Sequence, residues 1–182
     1  MKKSNQYFLA TRTLKTILFF TLVSAIPAWR NLQAQDAKLQ KENDKEASVK
    51  KMIDSKRFLF VAQSAMPMSG QIRQLTTEYG LTLKNDTLES FLPYFGRAYS
   101  ATIGSAGEGI QFKSYKFDYT LLESKKGRWE ISLQPKDVSD SYRLNLSISK
   151  SGYGSLEVRS NSRQPIIFQG YISKIKPGKA GK

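Results

Sequence analysis

Histidine and cysteine are both absent from the 182-residue chain. Without cysteine the protein has no disulfides, no thiol nucleophile and no N-terminal cysteine that would carry a lipid. Without histidine it lacks the base of a Ser-His-Asp triad and the usual ligands of zinc and copper. We therefore expect no metal and no cofactor. The catalytic chemistries that stay open are a carboxylate pair, a lysine or tyrosine base, and a serine–lysine pair.

Acidic residues are few, with 15 Asp and Glu against 29 Lys and Arg, for a formal net charge of +14. Five basic residues and no acidic residue lie in residues 1–34, so the remainder carries about +9. This balance favours anionic lipid, acidic polysaccharide or nucleic acid as a partner. Because the lysines are scattered, a solvated basic surface is the simpler interpretation.

The acids fall at predicted turns or on wet strand faces, and no spacing selects two of them as a catalytic pair. We therefore predict no catalytic residue and lean against an enzyme. A carboxylate-based hydrolase of glycan or another envelope substrate is kept as an alternative, because such enzymes need only two suitably placed acids.

No apolar run is long enough to anchor the chain in a membrane. The run from Ile17 to Ala28 has 12 residues, whereas a spanning helix needs about 20. It follows a basic start and precedes a small residue, Ala34, which is the layout of a secretory signal. We predict a signal peptide over 1–34 and export to the periplasm or medium of a Gram-negative bacterium, with no transmembrane anchor after cleavage. Nucleic acid is therefore not expected as a partner.

The residues after the signal are strongly polar. We predict a polar tether and the start of a helix over 35–48, because Val49, Met52 and Ile53 then follow at i, i+3 and i+4 spacing. This narrow apolar stripe suits a helix that lies against one face or end of a sheet.

Short β-like runs with turn signals between them fill the rest of the chain. They alternate apolar and polar residues, which is typical of antiparallel strands with one buried face. We predict a single mainly β domain over 49–176, followed by a flexible tail over 177–182. It has about eight antiparallel strands in a curved sheet, sandwich or open barrel, with one N-terminal helix. Gly80 is predicted to mark a bulge in the second strand.

One segment between these runs, Leu92 to Tyr99, packs two tyrosines, a phenylalanine, a proline, a glycine and an arginine into eight residues. In a structural interpretation the rings close one end of the barrel, Gly96 permits an otherwise forbidden turn, and the arginine caps carbonyls or pairs with an acid. In a functional interpretation the arginine binds an anionic or sugar group over the rings. The same ambiguity applies to the turn at 161–164. The candidate ligand-binding residues are Tyr94, Phe95, Arg97, Tyr99, Asn161 and Arg163.

Several stretches together resemble the domain of unknown function family DUF4251. They are the run from Arg57 to Gly70, the run from Ser90 to Tyr99, Gly-Ile-Gln-Phe at 109–112, and the segments at 161–166 and 170–172. The resemblance implies an exported bacterial protein, and it brings no activity, substrate or cofactor. Many family members are lipoproteins, and this chain departs from them in having no cysteine.

These observations favour a non-catalytic binding or envelope-associated module. Its expected partner is a small apolar or anionic ligand, or an envelope protein. The apolar-ligand version depends on a curved sheet that encloses a cavity. If side chains fill the interior instead, a purely structural protein-interaction module becomes the alternative.

Overall fold

The computed structural model describes residues 26–68, 70–99, 109–124 and 127–175, with side chains from Lys38 onward. Most of the predicted signal peptide and the tail over 177–182 lie outside the described residues. The elements are one helix and nine strands: α1 Ile26–Asp54, β1 Arg57–Pro67, β2 Arg73–Lys84, β3 Thr87–Leu92, β4 Ile110–Ser114, β5 Phe117–Ser124, β6 Arg128–Pro135, β7 Arg143–Ile148, β8 Tyr153–Arg159 and β9 Ile166–Ser173.

The chain divides into two units, Met1–Asp44 and Lys45–Lys182. The described part of the first unit is the N-terminal part of α1, and the second unit holds the rest of that helix and all the strands. Residues 35–48, predicted as a tether and helix start, are helical throughout. None of the helical residues that the structure describes forms a segment long and apolar enough to cross a membrane.

The nine strands form one antiparallel sheet in the order β4-β3-β2-β1-β9-β8-β7-β6-β5. The predicted mainly β fold with one N-terminal helix is confirmed, with nine strands rather than about eight. Of the arrangements left open by the sequence, the protein adopts a single sheet curled into a half-barrel. Its two edges are β4 and β5.

The two edge strands are consecutive in the chain, and only Tyr115 and Lys116 separate them. Residues that follow β6, Lys136 and Asp137, hold the turn between these two strands. The fully buried Ser114 hydroxyl donates to a carboxylate oxygen of Asp137, and the other carboxylate oxygen accepts from the Tyr115 N–H at 2.9 Å. The Lys136 N–H also donates to the Lys116 carbonyl at 2.8 Å. This carboxylate therefore fixes the point where the chain crosses from one edge to the other.

Inward-facing side chains fill the inner face of the sheet. Phe58, Phe60 and Phe168 are among the largest that are fully buried. The predicted stripe on the helix is confirmed, because Val49, Met52 and Ile53 are buried in the same core cluster. The apolar side chains of the sheet thus pack against one another and against the helix.

The pairing of β1 with β2 is irregular close to Gly80 but not at it. Ala62 pairs with Tyr79 and Ser64 with Gln74, so residues 75–78 of β2 stand against the single residue Gln63 of β1. Against β9 the extra residue is Gln63 itself, whereas Gly80 pairs regularly with Val61 and Phe91. Gly80 is needed for close approach, because an added Cβ would stand 2.4 Å from the Phe60 carbonyl oxygen. The predicted irregularity therefore lies in the second strand, as expected, but over residues 75–78 rather than at Gly80.

Candidate functional site

The segment Pro93–Tyr99 lies beside the loop 160–165, and we call these two stretches the corner. The Tyr99 N–H donates to the Ser162 carbonyl at 2.7 Å, and the Gln164 N–H donates to the Arg97 carbonyl at 3.1 Å. These bonds flank an isolated antiparallel bridge between residues 98 and 163. Two stretches that are distant in the sequence, and that both contain candidate ligand-binding residues, are thereby joined.

Tyr94 fixes the inner side of the corner. Its hydroxyl lies 2.8 Å from the Arg97 carbonyl oxygen and 3.1 Å from that of Gln164, so its single proton is shared between the two loops. Burial raises the pKa of the Tyr94 phenol, which keeps this proton in place. Gly96 has no left-handed backbone; a Cβ there would lie 2.3 Å from the Tyr94 hydroxyl. The expectation of a forbidden turn at Gly96 was wrong, and the constraint is space for the ring.

Two guanidinium groups lie over aromatic rings of the corner. Arg163 lies 5.0 Å from the centroid of the Tyr94 ring, and its Nη1 donates to the Gly109 carbonyl at 3.4 Å. Arg73, the first residue of β2, lies 4.9 Å from the centroid of Phe95. An aromatic face attracts a cation through its quadrupole and restricts where the guanidinium plane can lie.

The other candidate side chains point to solvent. Arg97 and Asn161 are exposed, and Tyr99 exposes 68% of its surface. Tyr94 and Phe95 pack against the core as partly buried residues. The rings of Tyr94 and Phe95 thus have the packing role of the structural interpretation, whereas Tyr99 does not plug the sheet.

Sequence reasoning missed Arg73 on this surface, and it missed the backbone contacts of Gln164, although it had named the turn at 161–164 as a candidate. Arg73 lies 20 or more positions before the corner motif, and no local pattern links it to Phe95. Gln164 supplies both a backbone donor and a backbone acceptor to the corner. The proline that follows Gln164 indicated a turn there, but not its contact with Tyr94.

The corner is electropositive. Among the residues that the structure describes, neither Arg73 nor Arg97 forms an ion pair with an acid. Asp140 reaches the same loop, where a carboxylate oxygen accepts a hydrogen bond from the Ser162 hydroxyl. The arrangement is able to hold a carboxylate or phosphate group through the forked donors of arginine.

Two carboxyl groups, those of Glu89 and Asp137, have a lowered pKa. The hydrogen bond from Lys113 lowers the pKa of Glu89, and the hydrogen bond from Ser114 lowers the pKa of Asp137. A general acid needs the opposite displacement, a raised pKa. Within the described ranges, no three acidic side chains converge as metal ligands.

A solved structure with a similar fold and a matching family model relate this chain to known proteins. A crystal structure of a DUF4251 family protein from Bacteroides eggerthii DSM 20697 superimposes with a TM-score of 0.58 and 13% sequence identity, covering 71% of this chain and 87% of that one. No curated protein matches the sequence. The model of the domain of unknown function DUF4251 matches residues 40–172, which is most of the chain. The chain therefore belongs to the DUF4251 family.

Proposed function

We propose that the protein is a non-catalytic binding module whose corner binds an anionic ligand. The observation that carries the proposal is that three arginines from separate segments are associated with the short stretch 94–97. Arg73 lies over the ring of Phe95, and Arg163 lies over the ring of Tyr94. Arg97 belongs to the same segment as these two rings and is exposed.

An anionic group is the ligand that this chemistry favours. Guanidinium groups bind carboxylate and phosphate through two parallel hydrogen bonds, and stacking on a ring reduces the conformational freedom that binding would otherwise remove. Arg73 and Arg97 are not neutralised by any acid of the described residues. A carboxylated polysaccharide and a phosphate-bearing envelope component share this chemistry.

The packing of the sheet supports a surface site over an enclosed apolar one. The inner face is occupied by its own side chains, including Phe60, Leu81 and Phe168, which are fully buried. An apolar ligand would have to displace them and lose their packing. Binding at the exposed corner requires no such rearrangement.

The test is retention on two matrices, immobilised polygalacturonate and phosphocellulose, with elution by a salt gradient. The variant carrying Arg73→Gln and Arg97→Gln is compared with one carrying Arg57→Gln and Arg128→Gln, two exposed arginines outside the corner. The two variants have the same net charge. The proposal expects the corner variant to elute at clearly lower salt on at least one matrix. Equal elution of the two variants on both matrices would contradict it, because net charge would then explain the retention.

We further propose that the protein works outside the cytoplasm. The support is the basic start, the 12-residue apolar run and the small residue at Ala34. N-terminal sequencing of the protein from cell fractions tests this proposal. A processed chain in the periplasm or medium is expected, and an unprocessed chain in the cytoplasm would contradict it.

A further inference from the structure

A second concave surface lies on the outer face of strands β2, β3 and β4, apart from the corner residues. It is a groove of about 400 Å³. The residues that matter to its chemistry are Leu59, Glu78, Glu89, Phe91, Gln111 and Lys113.

An aromatic ring forms the floor of this groove. Phe91 exposes 48% of its surface although β3 is an interior strand of the sheet. Its ring stacks on Tyr79 with centroids 5.3 Å apart and an interplanar angle of 27°. On β2 the cross-strand neighbour of Phe91 is Gly80, which has no side chain to cover the ring, and on β4 it is Gln111. A Cβ at Gly80 would press on the Phe60 carbonyl, so the backbone geometry keeps the β2 side of the Phe91 ring open.

The polar groups around the ring are nearly neutral in sum. Lys113 and Lys84 both pair with the Glu89 carboxylate, at 2.8 Å and 3.9 Å. The hydrogen bond from Lys113 lowers the pKa of Glu89, so the pair stays ionised. Glu78 makes no ion pair with any residue that the structure describes. The groove thus offers one carboxylate free to accept hydrogen bonds, beside the Gln111 carboxamide.

This combination matches a sugar ring. A pyranose has an apolar C–H face, which stacks on an aromatic ring, and a rim of hydroxyl groups, which donate to carboxylates and exchange hydrogen bonds with amides and ammonium groups. An anionic ligand is disfavoured by Glu78, and a purely apolar ligand would leave that carboxylate desolvated without a partner. We propose that the groove on the outer face of β2–β4 binds a neutral hexopyranose unit of a glycan, stacked on Phe91.

The experiment is a calorimetric titration of the full chain, after signal removal, with cellohexaose, maltohexaose and mannohexaose. Saturable binding of at least one of these is expected, with little dependence on salt because no ligand charge is involved. Phe91→Ala should weaken it by about tenfold or more, since it removes the stacking surface. The matched control is Tyr153→Ala, which removes an aromatic residue 57% exposed elsewhere on the outer face and should leave binding unchanged.

Glu78→Gln is the second test variant, to be used also if Phe91→Ala does not fold. This substitution preserves the size of the side chain. It should still weaken sugar binding severalfold, because an amide accepts hydrogen bonds from hydroxyl groups less well than a carboxylate does. Absence of saturable binding to all three oligosaccharides would overturn the proposal. So would equal loss in the Phe91 and Tyr153 variants, or displacement of the sugar by choline, which would indicate a cation site. Arg97→Gln should not affect this binding, so failure here is distinguishable from failure at the corner.

Discussion

The Tyr94 hydroxyl donates to the backbone carbonyl of Gln164, 70 positions later in the chain, at 3.1 Å. The same hydroxyl lies 2.8 Å from the carbonyl of Arg97, three residues after it. One side chain thus holds a tight local turn against a distant loop, and this contact joins the segment that contains Arg97 to the loop that contains Arg163.

Tyr94→Phe is expected to lower the free energy of unfolding by about 1 kcal/mol, because two carbonyls lose a hydrogen-bond donor while the ring stays packed. Urea denaturation followed by circular dichroism measures this. The control is Tyr153→Phe, whose exposed hydroxyl has no such contact and whose loss should leave stability unchanged. If the two variants are equally stable, the hydroxyl does not secure the corner.

Gly170→Ala should destabilise the sheet by at least about 2 kcal/mol. An ideal Cβ at Gly170 would stand 1.9 Å from the Val61 carbonyl oxygen and 3.1 Å from the Phe60 ring, so the backbones of β1 and β9 would have to separate. Thermal melting compares it with Gln169→Ala, a change at the adjacent exposed position. If Gly170→Ala melts at the same temperature as the wild type, the close approach of β9 to β1 at Gly170 does not constrain the residue at this position.

Ile53→Ala is expected to cost about 2–4 kcal/mol, because Ile53 is fully buried in the core cluster. Lys51→Ala, two residues away on the exposed side of the helix, should change stability by less than about 0.5 kcal/mol. Both are read from chemical denaturation. A small effect of Ile53→Ala would mean that the C-terminal end of α1 contributes little to the sheet domain.

The turn that crosses between the sheet edges should lose stability in acid. Hydrogen bonds from Ser114 and from the Tyr115 N–H lower the pKa of Asp137 below its ordinary value of 3.8. A carboxyl with a depressed folded-state pKa stabilises the fold above its unfolded-state pKa, and that contribution is lost as pH falls through the lower folded-state value. The melting temperatures of the wild type and Asp137→Asn should therefore differ above about pH 4 and converge below it. A difference that is constant across this range would contradict the assignment.

The sheet was predictable because alternation of apolar and polar residues reports directly on burial. Leu144, Leu146 and Ile148 of β7 are fully buried, and the intervening positions are not. The helix stripe was predictable for the same reason, since three residues at helical spacing define a face. The curvature of the sheet and the identity of its edge strands were not predictable. The pattern within one strand contains no information on how far a sheet curls or which strands form its edges.

The corner was predictable in part. The density of aromatic residues drew attention to Tyr94 and Arg97, and the turn residues drew attention to Arg163. Arg73 was missed because it contacts a segment that is distant in the sequence. Phe91 was missed because it lies on the solvent-facing side of β3, where the alternating pattern ordinarily has a polar residue. The extra residue Gln63, which interrupts the pairing of β1 with β9, was missed as well, since one extra residue in a strand has no compositional sign.

Anion binding at the corner can be mapped by titrating the isotope-labelled protein with galacturonate oligosaccharides and following the amide chemical shifts. Binding at the corner predicts that the largest shifts are at Arg97, Tyr99 and Gln164, that they saturate, and that they diminish as salt is raised. Shifts spread evenly over the basic surface, or centred on residues outside the corner, would contradict it.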